Sequence, residues 1–127
     1  MFNSYINLIR PYDWIKNLIL FLPIFFSIDI DNKDFIISIS KLFFIFCLLS
    51  STIYVFNDIC DIKQDKINTF EKKNKPLARG FISKDRAIVL FLILLIASLT
   101  IIYFQKKNTF YCCLFFLIIN FLYSIKL

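Results

Sequence analysis

Residues 57–80 read NDICDIKQDKINTFEKKNKPLARG, and they form the long polar run of a chain otherwise rich in Phe, Ile and Leu. The run opens with the acids Asp58, Asp61 and Asp65 and closes with the bases Lys72, Lys73, Lys75 and Arg79. Apolar stretches flank it on both sides, and a helical crossing needs only about 20 such residues. Ionisable groups at the edge of a membrane span are costly and are kept for function. The polar insert is therefore where chemistry is expected.

Working outward, the composition supports a membrane class. Of 127 residues, 59% are hydrophobic, 17 are Phe and one is Gly, with a mean hydropathy of +0.72. Soluble domains are nearer half apolar. The expected fold is an all-α integral membrane protein with four transmembrane helices, at about 14–28, 35–56, 87–104 and 109–125. A polar segment, 57–86, lies between the second and third. The second span, at about 1.5 Å per residue, reaches roughly 33 Å and can cross. Pro23 should kink the first, and Trp14 should sit at headgroup level. Before it, Phe2, Tyr5, Ile6 and Ile9 recur at helical spacing, as in a short interfacial helix.

The net charge of +6 does not point to nucleic acid, because the basic residues lie between apolar runs. It sets orientation instead. Arg10, Lys16, the bases from Lys63 to Arg86 and Lys126 share one side; Lys33, Lys106 and Lys107, with Lys41 near them, share the other. The richer side is expected to be cytoplasmic, in a multi-pass protein of the inner membrane. The chain has no His, which excludes an imidazole base, a His metal ligand and a Ser-His-Asp triad. Cys47, Cys60, Cys112 and Cys113 have no C-x-x-C spacing, so reduced packing residues are expected rather than bridges or zinc ligands.

If the second span continues as helix past Phe56, each residue turns about 100°. With Asn57 at zero, Asp61 falls at about 40°, Asp65 at about 80° and Asp58 at about 100°. The four share one face. Like charges at i,i+4 repel, and a bridging divalent cation removes that penalty. Magnesium suits such a site, since it takes one or two carboxylates and fills its other positions with water and substrate phosphates. The plainer reading is a solvated acidic helix end. For the bases, the plainer reading is a loop obeying the charge rule for topology. That explains the charge but not its closeness to the acids. Metal with Lys and Arg is the usual means of holding a diphosphate and neutralising its departure.

These residues resemble a known family. N-x-x-x-D-x-x-x-D at Asn57, Asp61 and Asp65 is similar to the first Asp-rich motif of the UbiA prenyltransferase superfamily. RPYDWIKN at Arg10–Asn17, YVFNDICDIKQD and KPLARG resemble its decaprenyl-phosphate phosphoribosyltransferase branch, over essentially the whole chain and in the family's order. YSIKL, from Tyr123, resembles the family's fourth-span motif. The resemblance implies the N-terminal half of a UbiA-like helical bundle, since family members have about twice the length and a second Asp-rich motif beyond that point. It implies Mg2+, held by Asn57, Asp58, Asp61 and Asp65, with Asp61 and Asp65 catalytic. It implies phosphoribosyl diphosphate and a membrane-borne polyprenyl phosphate as substrates, met by Lys16, Lys75, Arg79 and Tyr123. The products would be polyprenyl-phosphoryl-5-phosphoribose and pyrophosphate. Nucleic acid is not an expected partner; a separately supplied C-terminal half is. Lys75 stands where family members often have Arg, which removes a bidentate contact. Two alternatives remain open at this point: an aromatic prenyltransferase of the same superfamily, and a non-catalytic membrane subunit or inactive gene remnant.

Overall fold

The computed structural model describes residues 2–22 and 33–126. Its described elements are helical: α1 (Phe2–Ile9), a 3₁₀ helix (Pro11–Phe21), α2 (Lys33–Cys60), α3 (Ile62–Ile67), α4 (Thr69–Asn74), α5 (Lys84–Tyr103) and α6 (Lys107–Lys126). Among the described residues no strand occurs. Among the described residues three helices, α2, α5 and α6, are long and apolar enough to cross a membrane. Of the expected first span, Pro23 and the residues to 28 lie outside the described residues, as does most of the acidic turn at 29–34.

The described start of that span is 3₁₀ rather than α-helical. The cause is visible in its partners. Side chains at i and i+3 eclipse in a 3₁₀ helix, so Trp14 and Asn17 stand in one column against α2. Trp14 Nε1 donates to Ser51 Oγ at 2.9 Å. Asn17 Nδ2 donates to Ser50 Oγ at 3.3 Å and to Cys47 Sγ at 3.6 Å. Trp14 thus anchors the segment to a neighbouring helix. α1 ends where Arg10 turns left-handed, with φ 54 and ψ 57. Its N–H donates to Ile6 O at 3.0 Å, which is the αL cap, and Pro11 then prevents the α-helix from continuing. Leu8, not one of the four residues singled out by spacing, is the side chain that α1 buries fully.

α2 is the central element, packed by α1, the 3₁₀ helix, α5 and α6. One core cluster joins Ile45, Leu49 and Ile53 of α2 to Ile102 of α5 and to Cys113 and Leu117 of α6. Phe56 extends this seam, with ring centroids 5.2 Å from Phe91 and 4.8 Å from Phe121. Outward faces of α5 and α6 remain apolar at Val89, Leu92, Ile93, Ile96, Phe115, Ile118 and Leu122, as lipid-facing helices require. All four cysteines are free thiols; Cys47 and Cys113 are buried packing residues, and Cys60 and Cys112 are exposed.

Between α2 and α5 the contact is partly polar. Thr52 Oγ1 and Ser98 Oγ lie 3.1 Å apart, and each is also within reach of a carbonyl in its own helix, Leu48 O at 2.9 Å and Leu94 O at 2.6 Å; with one proton each, one hydroxyl donates across the interface while the other donates within its helix. Small hydroxyl residues permit close approach and bond across helices in a bilayer. Thr52→Val should cost only about 0.6 kcal/mol, the usual worth of such bonds. Thermal unfolding in detergent or nanodiscs checks it; a much larger loss would mean that the hydroxyl pair organises the interface.

Candidate functional site at the acid end of the bundle

The second cluster builds the site from below. Leu8 of α1, Val55 of α2, Leu77, Ile82 and Ala87 of α5 pack together, flanked by Ile59, Ile62 and Phe91. The KPLARG segment is therefore a docked turn. Its Pro76, Leu77 and Ala78 are buried while Arg79 and Gly80 face out. Arg79 N–H bonds Lys75 O at 3.1 Å, Gly80 N–H bonds Leu77 O at 3.2 Å, and Phe81 N–H bonds Pro76 O at 3.1 Å. Gly80 sits at φ 77 with open space where a Cβ would be. Gly80→Ala should then cost only the left-handed backbone penalty, about 1 kcal/mol, visible as a small fall in melting temperature. Ser83 caps α5, accepting from Arg86 N–H at 3.4 Å. Ile82 before the cap and Ala87 after it share the cluster, a hydrophobic staple that fixes how the turn enters α5.

Above this floor lie the acids. α2 stops at Cys60, and Asp61, with φ −87 and ψ 2, breaks the helix before α3. The break keeps register: Asp61 N–H bonds Asn57 O at 2.9 Å and Asp65 N–H bonds Asp61 O at 2.9 Å. The expected Asn57–Asp61–Asp65 column is thus backed by an i,i+4 backbone ladder, although a single continuous helix is not what carries it. Asn57 and Asp61 are half-buried, and the Asp61 carboxylate makes no capping bond to α3.

Asp58 shares a side with Asp65, since Lys75 Nζ reaches both carboxylates, and it is the more deeply buried. It points inward and is 1% exposed. Its Oδ1 accepts from Arg10 Nη2 at 2.6 Å, with Lys75 Nζ at 3.4 Å. Lys75 also reaches Asp65, at 3.1 Å to Oδ1 and 2.9 Å to Oδ2, and Asp65 is itself 6% exposed. Arg10, Asp58, Lys75 and Asp65 thus alternate in sign across α1, α2, α3 and the docked turn. A buried carboxylate needs such partners, since an unpaired charge would be far costlier than the pair.

Of the expected substrate residues, Lys75 is in this cluster. Arg79, in the same turn, stacks over the Phe81 ring at 4.4 Å. Lys16 lies on the 3₁₀ helix, mostly exposed and paired with Asp13 at 2.6 Å. Tyr123 is 63% exposed near the end of α6, two residues beyond Phe121, whose ring meets Phe56. Sequence reasoning missed Arg10 as a site residue. Its signal was present in RPYDWIKN, as an arginine directly before a helix-breaking proline. Tyr54, whose ring lies 5.3 Å from the Arg10 guanidinium carbon, carried no signal at all.

Among the described residues no three Asp, Glu, His or Cys side chains converge as a self-sufficient metal cage. The donor chemistry still fits magnesium. Asp61 and Asp65 on one ladder supply hard oxygen ligands, and Mg2+ commonly keeps water and substrate phosphates in its remaining positions.

The model of the UbiA prenyltransferase family matches residues 17–127. A decaprenyl-phosphate phosphoribosyltransferase of Mycolicibacterium smegmatis is 34% identical over 100 residues, covering 76% of this chain and 31% of that protein. The protein of that name from Corynebacterium glutamicum is 36% identical over 77 residues, 59% of this chain and 23% of its own length. That from Mycobacterium tuberculosis is 29% identical over 98 residues, 74% and 32% respectively. The matched stretch is thus a third or less of each of these relatives. No solved structure matches. With three apolar helices the protein is a multi-pass membrane protein, and a match running from Asn17 to the last residue means that the chain belongs to the UbiA prenyltransferase family.

Proposed function

We propose that this chain forms the donor-binding part of a magnesium-dependent transferase that moves 5-phosphoribose from phosphoribosyl diphosphate to a polyprenyl phosphate. The reaction takes place at the cytoplasmic face of the inner membrane. One observation carries the reading: the docked turn holds the Lys75 ammonium 2.9 Å from Asp65, so a phosphate-binding base and a metal-ligating acid occupy one point. The names of the relatives support the phosphoribosyl donor. Further polypeptide, in the same chain or supplied by a partner, would complete the bundle.

Asn57, Asp61 and Asp65 would hold Mg2+, which supplies charge neutralisation at the diphosphate. Lys75 donates to a phosphate oxygen as a point charge, and Arg79 offers a planar fork. Lys16 and Tyr123, both exposed, would meet the lipid phosphate. Asp61 and Asp65 are the catalytic pair, because they fix the donor while the lipid phosphate oxygen attacks the anomeric carbon. The new C–O bond forms as the C–O bond to pyrophosphate breaks, and its electron pair leaves with pyrophosphate. Charge separation in such a transfer is met by positioning and electrostatics, with no protein nucleophile.

Membranes carrying the protein, given radiolabelled phosphoribosyl diphosphate and polyprenyl phosphate, should place label in the lipid phase, and EDTA should prevent it. Consumption of an isoprenyl diphosphate with an aromatic acceptor, and none of the phosphoribosyl donor, would overturn the assignment in favour of ring prenylation.

A further inference from the structure

Asp58 is the most deeply buried aspartate of the run. Its side chain is 1% exposed, and its Oδ2 is sealed from solvent with no hydrogen-bond partner among the described residues. On its side toward Asp65, Lys75 Nζ stands between the two carboxylates. The Arg10 contact is doubly built. Arg10 adopts a left-handed backbone that bulky residues avoid. Its guanidinium is held both by Asp58 at 2.6 Å and by the Tyr54 ring, one helical turn earlier on α2.

From this arrangement we propose that Arg10 and Asp58 are positioning residues for Lys75, and that Asp58 is not a metal ligand. Two carboxylates stand beside Lys75 among the described contacts, Asp65 at 2.9 Å and Asp58 at 3.4 Å. Were Asp65 to take a divalent cation, Asp58 would remain beside the ammonium as a counter-charge. Without Asp58, a flexible four-carbon side chain would follow neither partner closely. Arg10 in turn makes the buried Asp58 charge tolerable, because one lysine shared with another acid is a weak counter-ion. This assignment rests on the proposed function in one respect, that Lys75 meets a diphosphate.

Two readouts in nanodiscs test it, neither requiring turnover. The first is competitive acylation of lysine amines, resolved by mass spectrometry. Lys75, whose side chain is 17% exposed and held by two carboxylates, should label several-fold more slowly than the exposed Lys63 and Lys66. Asp58→Asn and Arg10→Ala should remove most of that protection, and Arg10→Lys, which keeps the charge, should retain it within about threefold. The second is Mn2+ binding followed by electron paramagnetic resonance. Asp58→Asn should leave it within about threefold, as for an independent site, whereas Asp61→Asn should weaken it about tenfold or more. Unchanged Lys75 labelling in Asp58→Asn overturns the clamp, and so does a loss of Mn2+ equal to that of Asp61→Asn. If Asp58→Asn unfolds, all lysines label alike, and the contrast between Arg10→Lys and Arg10→Ala decides instead. If the wild-type protein transfers no phosphoribose yet shows the labelling contrast, the function fails and the clamp stands.

Discussion

Asp61→Asn is expected to lower phosphoribosyl transfer by about 10²–10³-fold, the scale on which a single electrostatic contact to a developing charge is lost. The substitution is nearly isosteric, and Asp61 makes no cap bond that folding would miss. Its N–H bond to Asn57 O at 2.9 Å, which holds the register, belongs to the backbone and survives. The loss should therefore appear as chemistry, with an unaltered melting temperature and a higher Mg2+ requirement. Asp65→Asn is the less clean test, because it also removes the carboxylate that Lys75 contacts at 2.9 Å. Its loss of activity should come with a loss of stability, since Lys75 is then left with less counter-charge. Initial rates against Mg2+ concentration, with thermal unfolding alongside, separate the two. Full activity in Asp61→Asn would remove the metal role from this ladder.

Leu77→Ala is expected to destabilise the protein by about 2–4 kcal/mol, within the range for truncating a buried leucine. Leu77 is 2% exposed and packs with Leu8, Val55, Ile82 and Ala87, which come from separate segments. No neighbouring segment can close the gap without shifting the others. The effect on function should exceed the effect on folding. Lys75 and Arg79 are carried on the turn that Leu77 pins, so a loosened turn raises the KM for the donor before the bundle melts. Thermal unfolding and donor KM measured on the same preparation check both parts. A variant with a lower melting temperature and an unchanged KM would mean that the turn is held by its own hydrogen bonds alone.

The acid ladder was legible because it depends on local geometry. An i,i+4 spacing fixes an angular column whether or not the helix breaks at Asp61, and the backbone bonds show that the break is absorbed in register. The helical membrane class was equally legible, since runs of about twenty apolar residues have few other homes. Not legible was the direction in which Asp58 points. On a helical wheel it lies beside Asp65, and a wheel does not say which side faces protein. Its principal partner, Arg10, is 48 residues away in sequence, and nothing in the spacing of charges links the two. The 3₁₀ start of the first span was hidden for the same reason. Trp14 and Asn17 choose a three-residue repeat to meet Ser51 and Ser50, which belong to another helix.

The sequence by itself determined a membrane-embedded helical chain, a column of Asn and Asp side chains at one helix end and a basic stretch following it. These follow from hydropathy, helical period and turn chemistry, all read within a few residues. Only the tertiary structure decided that the turn docks through Leu77, that Lys75 lies between two aspartates, and that Asp58 is buried against Arg10. Those outcomes depend on which surfaces the packed helices hide from water and lipid, and burial is a property of the assembled bundle rather than of any one segment.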